Sequence, residues 1–343
     1  MKTYLLPNEG QFYKANLHCH TTVSDGKLSP AEVKELYQRH GYSIVAYTDH
    51  EVLIPQHGNL SDENFLALNA HELELIEPGN GREHKERQRC HLCIIALEPD
   101  NVTQTCWHRS KYLWGNAATH QSEVKFDESK PDYVRLYSAR GVNDVIRRAR
   151  EAGFWVSYNH PIWSLEDPAQ YMQYEGFNAL EIYNHGCVVH GYDDDVPQIY
   201  DSFLKKGNKI FCVATDDNHC SHPEGHPRFD GCGGFVMIKA DRLEYRTVTK
   251  AMEAGSFYAS NGPIIHELWY EDGAVHIKCA PAAKIVANYG TVRAGIVYAE
   301  EGEGDLTEAS FTVKPNDGYV RITVYDANGR HAYTNAYFTK DFM

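Results

Sequence analysis

No run of about 18 apolar residues occurs in this chain of 343 residues, so no membrane-spanning helix is expected. Basic residues are in the minority: 33 Lys and Arg stand against 47 Asp and Glu, a formal charge of -14 with histidine neutral. That deficit predicts no stable nucleic-acid complex, because phosphate backbones are held by clustered cations. A small phosphorylated substrate stays open, since bound metal cations would dominate the field around it. Residues Met1 to Glu9 carry no apolar segment and no small-residue cleavage site, so no signal peptide is expected. The 9 cysteines follow no regular spacing, which predicts reduced thiols in a cytoplasmic protein. Cys90-x-x-Cys93 lacks the second pair that a zinc knuckle needs.

What is present suffices for a sizeable core, at 42% hydrophobic residues. From residue 13 to about 260, short apolar runs alternate with helical patterns. Strands are expected at Tyr13–His20, Ser43–Thr48, within Phe65–Leu75, and at Cys90–Leu97, Phe154–Tyr158, Ala179–Tyr183 and Ile210–Ala214. Ser29-Pro30-Ala31-Glu32 is a capping box that starts a helix with Val33, Leu36 and Tyr37 inward and Gly41 behind it. Helices are also expected over Val142–Ala152 and near Asp194–Lys206. Strands alternating with helices predict an α/β fold with a largely parallel sheet, here a barrel, over residues 1–262. Beyond Gly262-Pro263 only strand and turn patterns follow, and no helix, so residues 263–343 are expected to form a small all-β accessory domain. Of the 19 histidines, only His266, His276 and His331 lie there, which places the chemistry in the first part.

The sharpest motif is His18-Cys19-His20 followed by Ser24-Asp25-Gly26. Residues two apart on a strand point the same way, so His18 and His20 can present imidazoles to one ion, with Asp25 brought round by the loop. Cys19 then faces the opposite side, into the core. Thr48-Asp49-His50, Glu72, His91, His160 in Tyr158-Asn159-His160-Pro161, and Asp217-Asn218-His219 follow at or near successive strand ends, where α/β folds gather functional side chains.

This order of His-x-His, Ser-Asp-Gly, Thr-Asp-His, Glu, His, Asn-His-Pro and Asp-Asp-Asn-His resembles the polymerase-and-histidinol-phosphatase (PHP) family. The likeness runs from residue 13 to Gly262-Pro263. The Asp-Asp-Asn-His form and the Ala254-Gly255-Ser256-Phe257-Tyr258-Ala259-Ser260-Asn261 tail are most similar to a stand-alone branch of phosphoesterases. That branch also includes carbamate-ester hydrolases, and its members carry a small C-terminal β domain that Tyr333-Thr334-Asn335 would close. The resemblance implies a distorted barrel of about seven βα units holding three divalent metals. His18, His20, Glu72 and Asp217 would hold the first ion. Glu72 would bridge to a second, completed by His91 and His160, and Asp25, His50 and His219 would hold the third. Glu74 shares a strand face with Glu72 and is an alternative bridge; Asp216 is a further possible ligand.

Clustered divalent ions give hydroxide near neutral pH, polarise the attacked oxygen and stabilise the leaving oxygen, so no nucleophilic Ser or Cys is needed. The expected activity is hydrolysis of a small-molecule phosphate ester by hydroxide activated at a trinuclear centre. Hydrolysis of an uncharged ester or carbamate is the alternative. The donor set suits Zn, Mn or Fe. Glu72 and Asp217 are catalytic candidates as ligands, and Arg228 as a phosphoryl-oxygen donor and substrate contact. Asn184 is a second substrate-binding candidate, with His185 and His57 behind it. Asp49 and Asp216 are candidates to hold ligand imidazoles. Glu98–Arg140 is long for a connection and carries Trp107, Tyr112, Trp114 and Tyr137, which either line a pocket or pack the loop down.

Overall fold

The computed structural model describes residues 2–300 and 304–343. The chain runs β1 (Thr3–Tyr4), β2 (Gln11–Asn16), α1 (Pro30–Arg39), β3 (Ile44–Tyr47), α2 (His57–Leu60), β4 (Leu66–Ile76) and β5 (Arg89–Ala96). A short pair, β6 (Thr103–Gln104) and β7 (Lys125–Phe126), lies in the long connection. Then come α3 (Ala139–Glu151), β8 (Phe154–Asn159), α4 (Pro168–Tyr171), β9 (Ala179–Asn184), α5 (His185–Val189), α6 (Pro197–Lys205) and β10 (Phe211–Thr215). β11 (Phe235–Ala240), α7 (Tyr245–Ala254) and β12 (Phe257–Ser260) lead into the C-terminal strands.

Local chemistry accounts for the first helix. Glu32 N donates to Ser29 Oγ and Ser29 N to Glu32 Oε2 at 2.8 Å, so the capping box is closed, and Val33, Leu36 and Tyr37 are the buried face. α3 and α6 form where periodicity placed them, each with a buried stripe against the sheet. β11, α7 and β12 carried no expectation.

Among the described residues, one 14-stranded sheet runs in the order β10-β9-β8-β5-β4-β3-β2-β11-β12 and on into the C-terminal strands. β2, β3 and β4 are parallel, as are β8, β9 and β10. β5, between these two sets, is antiparallel to both neighbours, which departs from the parallel arrangement expected of the sequence. The ladder does not close into a barrel. The sheet curls until the extensions of β2 and β10 meet at one parallel bridge, Cys19 to Asn218, where His20 N donates to Asn218 O at 3.1 Å. Inside the curl, one apolar cluster takes alternate residues of facing strands, including Ala15, Ile44, Leu68, Ile95, Trp155 and Val213. Val248 and Met252 of α7 pack against the same cluster.

The C-terminal strands are β13 (Ile265–Glu271), β14 (Ala274–Ala282), β15 (Lys284–Tyr289), β16 (Ala294–Tyr298), β17 (Leu306–Thr312), β18 (Tyr319–Tyr325), β19 (His331–Thr334) and β20 (Tyr337–Phe338). β1, at the far N-terminus, joins β13, β14 and β17 in a four-stranded sheet, and Leu6 is buried in the same apolar cluster. The expectation of no helix needs one correction: Thr339–Phe342 forms a single turn, α8, at the end of the chain. Asn335 ties the two parts together. Its Oδ1 accepts from Cys212 N at 3.0 Å, while Nδ2 donates to Gly255 O and Phe257 O at 3.1 and 2.9 Å.

Candidate metal centre

All nine residues singled out as ligands converge at one end of the curled sheet. His18 and His20 follow β2, His50 follows β3, Glu72 lies on β4, His160 follows β8, and Asp217 and His219 follow β10. His91 reaches the same rim for the opposite reason. β5 runs antiparallel, so its first residues lie where its neighbours end, and His91 pairs in register with Glu74 and Asn159.

The donor atoms are packed tightly. His18 Nε2 lies 3.2 Å from His20 Nε2, 3.1 Å from Glu72 Oε1 and 3.2 Å from Asp217 Oδ1. His20 Nε2 lies 3.3 Å from Glu72 Oε2 and 3.0 Å from Asp217 Oδ1. An ion about 2.0–2.1 Å from tetrahedral donors holds them roughly 3.3 Å apart, which these separations match, His18 facing one Glu72 oxygen and His20 the other. Glu72 Oε2 is buried and meets no donor in bonding geometry, although His50 Nδ1 is 3.0 Å away. Near but misaligned is the arrangement of atoms aimed at a common third atom. Four overlapping groups have the spacing to hold an ion: His18, His20 and Glu72; His50, Glu72 and His91; His18, His160 and Asp217; and His20, Asp25, His50 and His219. By proximity His50 therefore stands beside Glu72 and His91 as well as Asp25, and His160 beside His18 and Asp217.

Electrostatics point the same way. Burial alone would raise the Glu72 and Asp217 carboxyls, yet both are held well below the usual range, Glu72 first by His91 and Asp217 first by His18. Burial would lower His91, but Glu72 and Glu74 lift it to about 10.

Neighbouring residues hold the donors in place. Glu181, buried in mid-β9, accepts from His18 Nδ1 at 2.9 Å and from His160 N at 2.9 Å, and also from Thr215. Asn184 donates to Glu181 Oε2 and to Asp217 Oδ2 at 3.1 Å, and it caps α5 through Cys187 N. It therefore sits beneath Asp217 rather than facing the cavity. Asp49 accepts from Thr21 N and Ser24 Oγ, fixing the loop that carries Asp25. Asp216 accepts from Cys232 N, Gly233 N, Gly234 N and Tyr37 Oη, so its oxygens are occupied by loop and helix, away from the donors. Neither Asp49 nor Asp216 bonds a ligand imidazole. Asp230 accepts from His219 N and Cys220 N. The backbone is left-handed at both His160 (φ 26°) and Asp217 (φ 50°), a strained state for non-glycine residues that these bonds maintain.

A cavity of about 690 Å³ opens over the donors, and every one of them except His18 and His20 lines it. Arg228 is exposed on the 221–230 loop and does not line it. The arginine that does is Arg89, two residues before His91 on β5 and 9% exposed. Its Nη1 lies 3.3 Å from Glu74 Oε2, its Nη2 donates to His84 O at 2.6 Å, and its guanidinium sits over the Trp163 ring. Glu74 is thus paired with Arg89 and with His91 Nε2 at 3.2 Å, outside the donor group that Glu72 enters. His185 bonds Tyr183 Oη and His57 bonds Ser61 Oγ, both away from the cavity.

In the long connection, the aromatics separate by role. Trp107 is buried against Phe126, Tyr112 lies over Arg135, and Tyr137 donates to Glu166. Trp114 alone of the four lines the cavity, its ring 5.2 Å from His50. Glu181, Arg89 and Trp163 went unread in the sequence. The signals were a carboxylate inside the buried run of β9, an arginine at the strand period from His91, and a tryptophan three residues after His160.

No protein-family model matches the chain, and no curated protein matches it. Among solved structures, it is similar to a two-domain protein containing a predicted PHP-like metal-dependent phosphoesterase from Bacteroides vulgatus. That likeness has 14% identity and a TM-score of 0.44, over 98% of each chain. It is also similar to an amidohydrolase from Chromobacterium violaceum with bound sulfate and no metal, at 16% identity and a TM-score of 0.40, over 71% of this chain and 96% of that one. Likeness at that level says nothing about chemistry, which rests on the donor geometry.

Proposed function

We propose that this chain is a metal-dependent hydrolase of the PHP type, its curled sheet a distorted barrel, that cleaves a phosphate ester on a small molecule at a centre of three divalent ions. The observation that carries the reading is the convergence of His18, His20, Glu72 and Asp217, each Nε2 of the two imidazoles lying 3.0–3.3 Å from a Glu72 oxygen and from Asp217 Oδ1. In this reading Glu72 would be shared between a first ion and a second that His91 and His160 would complete, and Asp25, His50 and His219 would hold a third. Zn, Mn or Fe would suit these donors. When bound, such ions lower the pKa of water, polarise the oxygen under attack and stabilise the oxygen that leaves. The chain's own part is positional. Glu181 fixes the His18 ring through Nδ1, leaving Nε2 free for the donor group, and Asn184 turns Asp217 toward it. Glu74 holds His91 through Nε2, leaving Nδ1 beside Glu72.

Two observations favour an uncharged ester or carbamate as substrate: Arg228 lies outside the cavity, and Arg89 is already paired with Glu74. The test is purified protein loaded separately with Mn, Zn and Fe, assayed for metal content and against p-nitrophenyl phosphate, bis-p-nitrophenyl phosphate and a carbamate ester. More than one equivalent of metal per chain and turnover of a phosphate ester are expected. One equivalent or less after reconstitution would defeat the cluster; turnover of the carbamate alone would transfer the proposal to the second reading.

A further inference from the structure

Beyond the donors, the cavity has a wall that phosphoester chemistry leaves unexplained. Trp163, on the segment after β8, has its ring 5.1 Å from that of His160 and 5.4 Å from that of His91. Trp114, from the long connection, has its ring 5.2 Å from that of His50 and is 45% exposed. Both indoles line the cavity. They come from separate segments of the chain and border the imidazoles of different ligands, so one does not pack the other. A large exposed indole over a charged centre stabilises the free protein little. Its face is available to a ligand.

The polar groups of that wall are already matched to one another. The Arg89 guanidinium is neutralised by Glu74 Oε2 at 3.3 Å, donates to His84 O, and covers part of Trp163. A second anionic group on the substrate would find no free cation there, and a bare alkyl chain would leave the faces of both rings without the offset stacking that they favour.

We propose that the substrate of this centre carries a planar aromatic ring, seated against Trp163 and Trp114 while its ester group reaches the donors. This rests on the hydrolase reading for the position of the ester, but not for the recognition of the ring. An aryl group and a nucleobase share the chemistry, because each offers a flat π face. Trp163, backed by Arg89, forms the half-buried part of the wall, and Trp114 its exposed edge.

The test uses the metal-loaded full-length protein and two matched pairs. Benzylphosphonate and cyclohexylmethylphosphonate, which are not hydrolysed, are compared by calorimetric titration. Benzyl phosphate and cyclohexylmethyl phosphate, whose leaving alcohols are alike in acidity, are compared by kcat/KM. About ten-fold tighter binding of the benzyl compound is expected, on the scale of one base–aromatic stack. Trp163→Leu should remove that preference and Trp163→Phe should keep most of it, at unchanged metal content. Adenosine 5′-monophosphate against ribose 5-phosphate distinguishes a nucleobase from a simple aryl group. Equal affinity for the two phosphonates in the wild type, or a preference that survives Trp163→Leu combined with Trp114→Leu, overturns the aromatic wall. Preferential benzylphosphonate binding without turnover of any ester would defeat the hydrolase reading and leave the wall standing.

Discussion

Glu72 and Glu74 point from the same face of β4, and the sequence alone allowed either to be the bridge. Their surroundings separate them: Glu72 lies against His18, His20, His50, His160 and His91 Nδ1, whereas Glu74 takes only His91 Nε2 of these and pairs with Arg89. Glu72→Gln should therefore lose metal and turnover together, whereas Glu74→Gln should keep the metal and lose little; elemental analysis beside an activity assay reads both. Glu181→Gln should weaken metal binding by roughly 10–100-fold while leaving all nine donors in place, since it frees the His18 ring. Competition with a chelator measures that, and unchanged affinity would make Glu181 only a strand-pairing residue. The nine converging residues were legible as candidates because each is a side chain able to bind a metal. Glu181 and Arg89 were not, because their partners His18 and Glu74 are remote in sequence. A residue outside the centre gives a pH signature. Burial pushes Glu166 up to about 7 from 4.5, against the hydroxyls of Tyr158, Tyr174 and Tyr137 that donate to it. The folded state then holds this proton more tightly than the unfolded chain. Its stabilising contribution is complete below pH 4.5 and is lost as pH rises through about 7. Denaturant midpoints of Glu166→Gln should lack that fall, and a slope equal to the wild type would mean that the carboxyl is already ionised throughout.

At the level of elements, start and stop signals decided what could be read. α1 has a closed capping box and was placed to within a residue, whereas α7 follows Glu244, whose side chain makes no cap, so its pattern had no marked origin. The reversal of β5 was not legible, because a buried strand of eight apolar-rich residues reads the same in either direction. The 98–140 connection is held down by Arg135, which makes a bidentate pair with Glu51 at 2.7 and 2.5 Å and also donates to Glu74 O. Glu51 follows His50, so the clamp joins the connection to two ligand-bearing strands. Arg135→Ala should leave Glu51 buried without a partner and cost about 3–5 kcal/mol. Chemical denaturation and the rate of proteolysis within 98–140 report it, and a loss below about 1 kcal/mol would show that the carboxylate finds water instead.

For the whole molecule, the C-terminal strands are a continuation of the sheet rather than an appendage. β12 pairs with β19, Arg321 bonds Asp201 on α6 through two nitrogens, and Asn335 closes onto β10 and β12. Ending the chain near residue 264 removes no ligand but uncovers Tyr258 and Leu6, so the shortened protein should be poorly soluble; a soluble product that had lost metal would show that these strands shape the centre. The strand patterns after Gly262 were readable as a β module, but its recruitment of Thr3–Tyr4 depends on pairing across the whole chain, which no local pattern encodes. The donors themselves extend from His18 to His219, and apart from a few near neighbours none can meet until the sheet has curled. A half-folded chain consequently offers an ion only a few of these donors, so in the proposed metal reading bound ions have little to hold in the folding transition state. They should act as a brake on unfolding, not as a nucleus. In stopped-flow experiments, adding metal should lower the unfolding limb and leave the refolding limb where the chelated protein has it. Faster refolding with metal would mean that some donors assemble early, ahead of the loop closures that the topology demands.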